Sequence, residues 1–150
     1  MMSKTLYNAA ILRLKLAGEA AHRLPAPHGT AVRMSPVCGS KIIADVSITA
    51  EGRIAAVGLD ASKACTLGQA SAAVVIERAA GMDAAALAAT RAALADFLGG
   101  RAEQAPDGWA MFAPASAHRA RHPSILLPID AVAAALAEAA PAPVLADDRA

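Results

Sequence analysis

The sequence predicts an α+β fold, a small antiparallel β-sheet with alanine-rich helices, and three observations carry that expectation. β-branched residues concentrate in one stretch, Ile42, Ile43, Val46, Ile48 and Thr49, which favours a strand. Glu51-Gly52 follows as a turn, and Arg53 to Leu59 supplies a second strand, so the pair reads as a hairpin. On either side of it, alanine and leucine recur at three- and four-residue spacing, the period of an amphipathic helix. Hydrophobic residues make up 56% of the chain but aromatics only 3%, so the core has to be built from Ile, Leu and Val.

Taken in order, Lys4 to Leu24 carries Leu6, Ala10, Leu14 and Ala17 with Ile11 and Leu16, which predicts a first helix ending near Pro25. Pro25, Pro27, Gly29 and Pro36 predict a loop that delivers Cys38 at its far end. After the hairpin, Thr66 to Ala80 reads as a helix with Ala70, Ala73 and Val74 inward and Gly81 as its stop. Asp83 is placed to cap another helix running to about Leu98, where Gly99-Gly100 ends it. Arg101 to Pro123 reads as a loop whose Trp109, Met111 and Phe112 form an apolar cluster for the core. A last helix is expected from Ile129 or Asp130 to about Ala140, with a frayed tail from Pro141 onward.

Length and charge limit the classes of function. At 150 residues the chain can bury one core, and we expect a single domain over residues 1–140 with residues 141–150 as a flexible tail. A net charge of +1, no basic block, one Trp and one Tyr give neither the electrostatic footprint nor the stacking surface of a nucleic-acid binder. No apolar run approaches the ~20 residues of a membrane span, so no membrane association is expected. The amino terminus, Met1-Met2-Ser3-Lys4, lacks a secretory pattern, and a cytoplasmic location is expected.

Cys38 and Cys65 are the only cysteines, and each sits beside a break in regular structure, where sulfur can face outward. An antiparallel hairpin returns the chain to its starting end, so the loop before the first strand and the end of the second lie at one edge, making the two cysteines neighbours. A disulfide between them is disfavoured by cytosolic redox poise, which leaves two thiols. Cys65 falls at or just before the first turn of its helix, where N–H groups can stabilise a sulfur anion. A Cys nucleophile with His122 as base is the catalytic alternative, but no acidic residue is placed to orient that histidine, so the chain is expected not to be an enzyme.

These residues resemble a family, the iron–sulfur cluster assembly scaffolds of the NifU, IscU and SufU type. The resemblance runs from Tyr7 to about Leu136. It is carried by Pro36-Val37-Cys38-Gly39, the hairpin, Ala64-Cys65 followed by Gln69-Ala70-Ser71, Gly81, and Arg121 to Val132 before the last helix. It implies an α/β sandwich with helices packed on one face of a small sheet. It also implies a shallow exposed site of three cysteines and an aspartate that holds a 2Fe-2S cluster, or in some members zinc.

Carried over residue by residue, Cys38 and Cys65 match the first two cysteines. The aspartate that the family places two residues after the first cysteine is Ser40 here, and the third cysteine falls at Ser124. His122 lies one residue before the position, Pro123, where the IscU branch has a histidine; it is a further candidate ligand. Neutral serine hydroxyls are poor ligands, and a cluster or a structural zinc usually wants four donors. A homodimer pooling Cys38 and Cys65 from each subunit, or an outside thiol such as glutathione, would restore the count. The resemblance thus implies a scaffold or carrier that takes iron or a 2Fe-2S cluster, with zinc as the alternative, and that works with a cysteine desulfurase and acceptor proteins. The other reading is a degenerate homologue kept for protein contact or regulation without cluster assembly.

Overall fold

The structure, a computed structural model, describes residues 5–36 and 39–139. Cys38 and the tail from Pro141 lie outside the described residues. The elements run α1 (Ala9–Glu19), β1 (Gly29–Met34), β2 (Lys41–Ile48), β3 (Ile54–Lys63), α2 (Thr66–Arg78), α3 (Ala84–Leu98), two 3-10 turns (Ala110–Ala117 and Arg119–Arg121) and α4 (His122–Ala139).

The three strands form one antiparallel sheet in the order β1-β2-β3. On β2 the side chains of Ile42, Ala44 and Val46 alternate onto the same face and are fully buried. Against that face α4 packs across β1 and β2, while α2 lies between α4 and α1 and reaches β3. This is the expected α+β architecture, with helices on one face of the sheet. The β2–β3 hairpin turns where expected, with Gly52 at φ 81°, a left-handed conformation open to glycine.

The centre of the molecule is α2, in which every residue from Leu67 to Val75 is buried. Such a helix has no polar face, and small residues let its neighbours come close. A Cβ on Gly18 of α1 would fall 1.8 Å from the Gln69 carbonyl oxygen of α2, so only glycine fits there. Two buried polar groups on α2 are tied down. Gln69 Nε2 donates to the Ala61 carbonyl at 3.0 Å, and Ser71 Oγ donates to the Ile125 carbonyl at 2.6 Å while accepting from Trp109 Nε1 at 3.0 Å. Trp109 and Phe112 belong to the core, 2% and 1% exposed, as their composition suggests.

Several elements differ from the sequence-based expectation, among them β3, which runs on to Lys63 past the expected Leu59. Helix α1 starts after Asn8, whose Oδ1 accepts from Ile11 N–H, and stops at Glu19, short of the expected Leu24. The residues beyond it are recruited elsewhere: the His22 carbonyl accepts from Leu59 N–H of β3 at 3.1 Å, and Leu24 N–H donates to Asp45 at 3.1 Å. The expected loop before Cys38 contains strand β1. Its prolines, Pro25, Pro27 and Pro36, all fall outside Gly29–Met34, and Gly29 lets the strand approach α4, since a Cβ there would lie 2.2 Å from the Ala135 carbonyl oxygen.

Helix α4 begins at His122, seven residues before Ile129. Proline is tolerated in a first turn, where its missing N–H has no helical partner anyway, so Pro123 does not exclude a helix. Pro128 does remove one interior donor, but Ile125 to Ile129 are all buried, and that packing holds the helix through the proline. The stretch before it, expected as loop, is largely wound into the two 3-10 turns. Helices α2 and α3 end and begin as expected, with Asp83 Oδ1 accepting from Ala86 N–H as the N-cap of α3.

Candidate functional site

The ends of β2 and β3 converge where the cysteine-bearing segments leave the sheet. Lys41 pairs with Lys63 in the register, so Ser40, one residue before β2, and Ala64-Cys65, just after β3, share one edge. The contact is direct: Ser40 Oγ accepts from Cys65 N–H at 3.1 Å. A second closure holds the other side of the loop, with Ser35 N–H donating to the Ser40 carbonyl and Gly39 N–H to the Ser35 carbonyl, each at 2.8 Å. Gly39 adopts φ 73°, which turns the chain sharply between the cysteine position and β2. Cys38 itself lies outside the described residues, but Ser40, two residues on, meets the start of α2, and Ser35 and Gly39 are tied to each other and to Ser40.

Cys65 is the N-cap residue of α2, with extended backbone (φ −71°, ψ 171°), and its carbonyl accepts from Gln69 N–H at 2.8 Å. It is half-buried and a free thiol. The side chain makes no capping hydrogen bond. Gly68, one turn on, leaves room beside it. A Cβ built there would meet Ala64 Cβ at 3.2 Å, the Ser124 carbonyl oxygen at 3.4 Å and Cys65 Sγ at 3.8 Å. The start of α4 therefore comes up to the cysteine across a glycine, and Ser124, 1% exposed, belongs to the same neighbourhood.

His122 is held differently. Its Nε2 bonds the Ala115 carbonyl at 2.8 Å, and because a carbonyl only accepts, that nitrogen carries the proton. The ring lines a cleft with Arg101 and Arg119, away from the start of α2. Among the described residues no group of three or more His, Cys, Asp and Glu side chains is gathered to hold a metal ion. The described part of the site thus offers Cys65 Sγ, the neutral Ser40 hydroxyl engaged with the cysteine amide, and buried Ser124.

The charges around this edge are cationic, with one controlled carboxylate. Asp60 sits in the sheet near Lys41 and Lys63, and the four residues Lys41, Ile43, Asp60 and Lys63 line a shallow depression of about 30 Å³. The Ser62 hydroxyl and amide both donate to Asp60, at 2.7 and 3.0 Å, and hold its carboxyl below the usual range, with Arg23 and Lys41 adding to the effect.

A crystal structure of a nitrogen-fixing NifU-like protein (N-terminal) from Brucella abortus superposes on this chain with a TM-score of 0.80 at 31% identity, over 89% of this chain and 94% of that one. The chain belongs to the NifU-like family. A scaffold for the SUF system from Fervidobacterium islandicum AW-1, described as a cluster assembly protein, shares the fold at TM-score 0.75 and 17% identity, over 89% of this chain and 98% of that one. A hypothetical protein of known structure shares it at TM-score 0.66 and 18% identity. No family model matches the sequence, and no curated protein does.

Sequence reasoning about this NifU-like chain identified Cys65 as the start of α2 but missed what surrounds it. The sequence places Ser40 only at a ligand position, whereas its hydroxyl accepts from the Cys65 amide. Gly68, a glycine inside an otherwise alanine-rich helix, marks the close packing of α2 against the start of α4. No helix among the described residues is long and apolar enough to cross a membrane.

Proposed function

We propose that this protein is a non-enzymatic scaffold or carrier for iron–sulfur clusters, taking iron or a 2Fe-2S cluster at Cys38 and Cys65 and passing it to acceptor proteins. The observation that carries this reading is the 31% identity to the Brucella NifU-like protein over 89% of the chain, together with Cys65 at the N-terminus of α2 against the loop that bears Cys38. A cysteine desulfurase is the source of sulfur that the reading implies, and the cytosol is the compartment that keeps both thiols reduced.

The residues on the page explain why such a site would release its cargo. The substrate is an iron–sulfur cluster or its iron and sulfide, and thiolates are the groups that ligate it. With Ser40 donating no charge and its oxygen turned to the Cys65 amide, a single subunit supplies few anionic donors, so a second subunit or an external thiol completes the set. His122, bound through Nε2 to Ala115, is a weaker candidate than the cysteines. Zinc is the alternative cargo for the same thiolates.

Anaerobic reconstitution with iron and sulfide tests the proposal. We expect visible charge-transfer absorption that Cys65→Ala or Cys38→Ala abolishes; an unchanged spectrum in both variants would contradict it. A second reading, a homologue kept for protein contact, is favoured by the presence of serine at both Ser40 and Ser124. It predicts that a partner desulfurase is retained equally well by a variant with both cysteines replaced by serine.

A further inference from the structure

We propose that the cleft between the C-terminal end of α3 and the start of α4 binds a small organic phosphate ester. The cleft is about 260 Å³, and its walls divide by chemistry. Ala95, Leu98 and Leu126 form an apolar floor, while Arg101, just beyond α3, and Arg119, in the turn before α4, supply cationic groups and His122 adds a polar ring. This volume exceeds what a bare inorganic anion fills, and the cleft sets an apolar floor against convergent polar groups, the two ingredients that bind a small molecule with an anionic end.

The polar groups are prepared to different degrees. Arg101 is paired with the end of α3: its Nε donates to Asp96 Oδ1 at 3.0 Å and its Nη2 to the Ala95 carbonyl at 3.3 Å, an exposed pair that offsets the Asp96 carboxylate. His122 is oriented by its bond to Ala115. Arg119 makes no ion pair among the described residues, and its planar guanidinium is suited to bidentate recognition of a phosphate. The sequence from His118 to His122, His-Arg-Ala-Arg-His, which supplies Arg119 and His122 to the cleft, holds two arginines and no carboxylate.

The cleft lies apart from the cysteine edge, since none of its residues is a cysteine or lies at the start of α2, and it shares with the proposed cluster site only His122, the weaker candidate ligand there. Leu126 and His122 face the cleft from α4, while Ser124 between them is buried near Cys65, so the two sites share one helical turn.

The test is a titration of the metal-free full chain with phenyl phosphate, with inorganic phosphate, and with sodium chloride at matched ionic strength, followed by amide and histidine-ring chemical shifts. We expect saturable shifts at Arg119, His122 and Leu126 with phenyl phosphate, binding at least tenfold weaker for Arg119→Gln, and unchanged binding for Cys65→Ala. Shifts no different from those of sodium chloride, or equal affinity in Arg119→Gln, would overturn the site. Inorganic phosphate binding as tightly as phenyl phosphate would overturn the role of the apolar floor.

Discussion

Two polar groups associated with β2, five residues apart, are used in opposite ways. Asp45, in the middle of the strand, is fully buried and receives four hydrogen bonds: two from the Arg23 guanidinium at 3.0 Å each, one from Thr30 Oγ1 at 2.6 Å and one from Leu24 N–H at 3.1 Å. Ser40, just before the strand, is also buried, carries no charge and accepts the amide of Cys65. The anion locks the chain after α1 and the edge strand β1 onto the sheet. The neutral group places no carboxylate against the Cys65 amide, and the carboxylate near this edge, Asp60, is held by Ser62 beside Lys41 and Lys63. The contrast teaches that a buried carboxylate here is spent on architecture, while the site keeps its charge for whatever it binds.

The largest effect is expected from removing the lock. Asp45→Ala leaves Leu24 N–H and Thr30 Oγ1 without their acceptor and should lower unfolding free energy by about 3 kcal/mol, measured by urea denaturation. A smaller loss from Asp45→Ala than from Ser40→Ala would break the comparison. Its pH dependence sharpens it. Burial alone would raise the Asp45 carboxyl, but the bonds from Arg23, Thr30 and Leu24 prevail and hold it below its usual value. A depressed carboxylate contributes its full stabilisation above the unfolded-state value near pH 4 and loses it as pH falls through the lower folded-state value. The stability gap between wild type and Asp45→Asn should therefore be constant from pH 7 to about 5 and close under more acid conditions; a gap that widens in acid would contradict this.

At the other end of the comparison, Ser40→Ala removes the acceptor for the Cys65 amide and should cost about 1 kcal/mol. Ser40→Asp restores the charge that the family carries, and we expect more iron retained per subunit after reconstitution than in wild type, at some loss of stability. Equal retention would show that neutrality at residue 40 does not set the affinity. The smallest change in stability is expected from Gly68→Ala, where gained helix propensity of about 1 kcal/mol offsets the tight contact with Ala64. Iron retention should nevertheless fall, because the new methyl occupies the space between Cys65 and Ser124.

How much of this was legible in the sequence depended on whether the signal was local. The hairpin, α2, α3 and the Asp83 cap were legible because β-branched runs, alanine periodicity, Gly52 and Gly81 act within a few residues. Strand β1 and the first half of α4 were not, because prolines were read as breakers when Pro36 merely flanks a strand and Pro123 and Pro128 are carried by burial. The shortened α1 depends on Asp45 and Leu59, more than twenty residues away. At the site, the position of Cys65 at the start of α2 was legible from its flanking residues. The Ser40–Cys65 bond and the proximity of Ser124 across Gly68 were not, since each joins segments brought together only by the sheet register and helix packing.

The most direct measurement of the central claim is iron and acid-labile sulfide per subunit in anaerobically reconstituted protein, run beside size-exclusion chromatography and the Cys38→Ala, Cys65→Ala double variant. The account predicts iron and sulfide in equal amounts, carried by a dimer or a thiol-completed monomer, and lost in the folded variant. Iron and sulfide retained by that variant, or absent from well-folded wild-type protein, would contradict it.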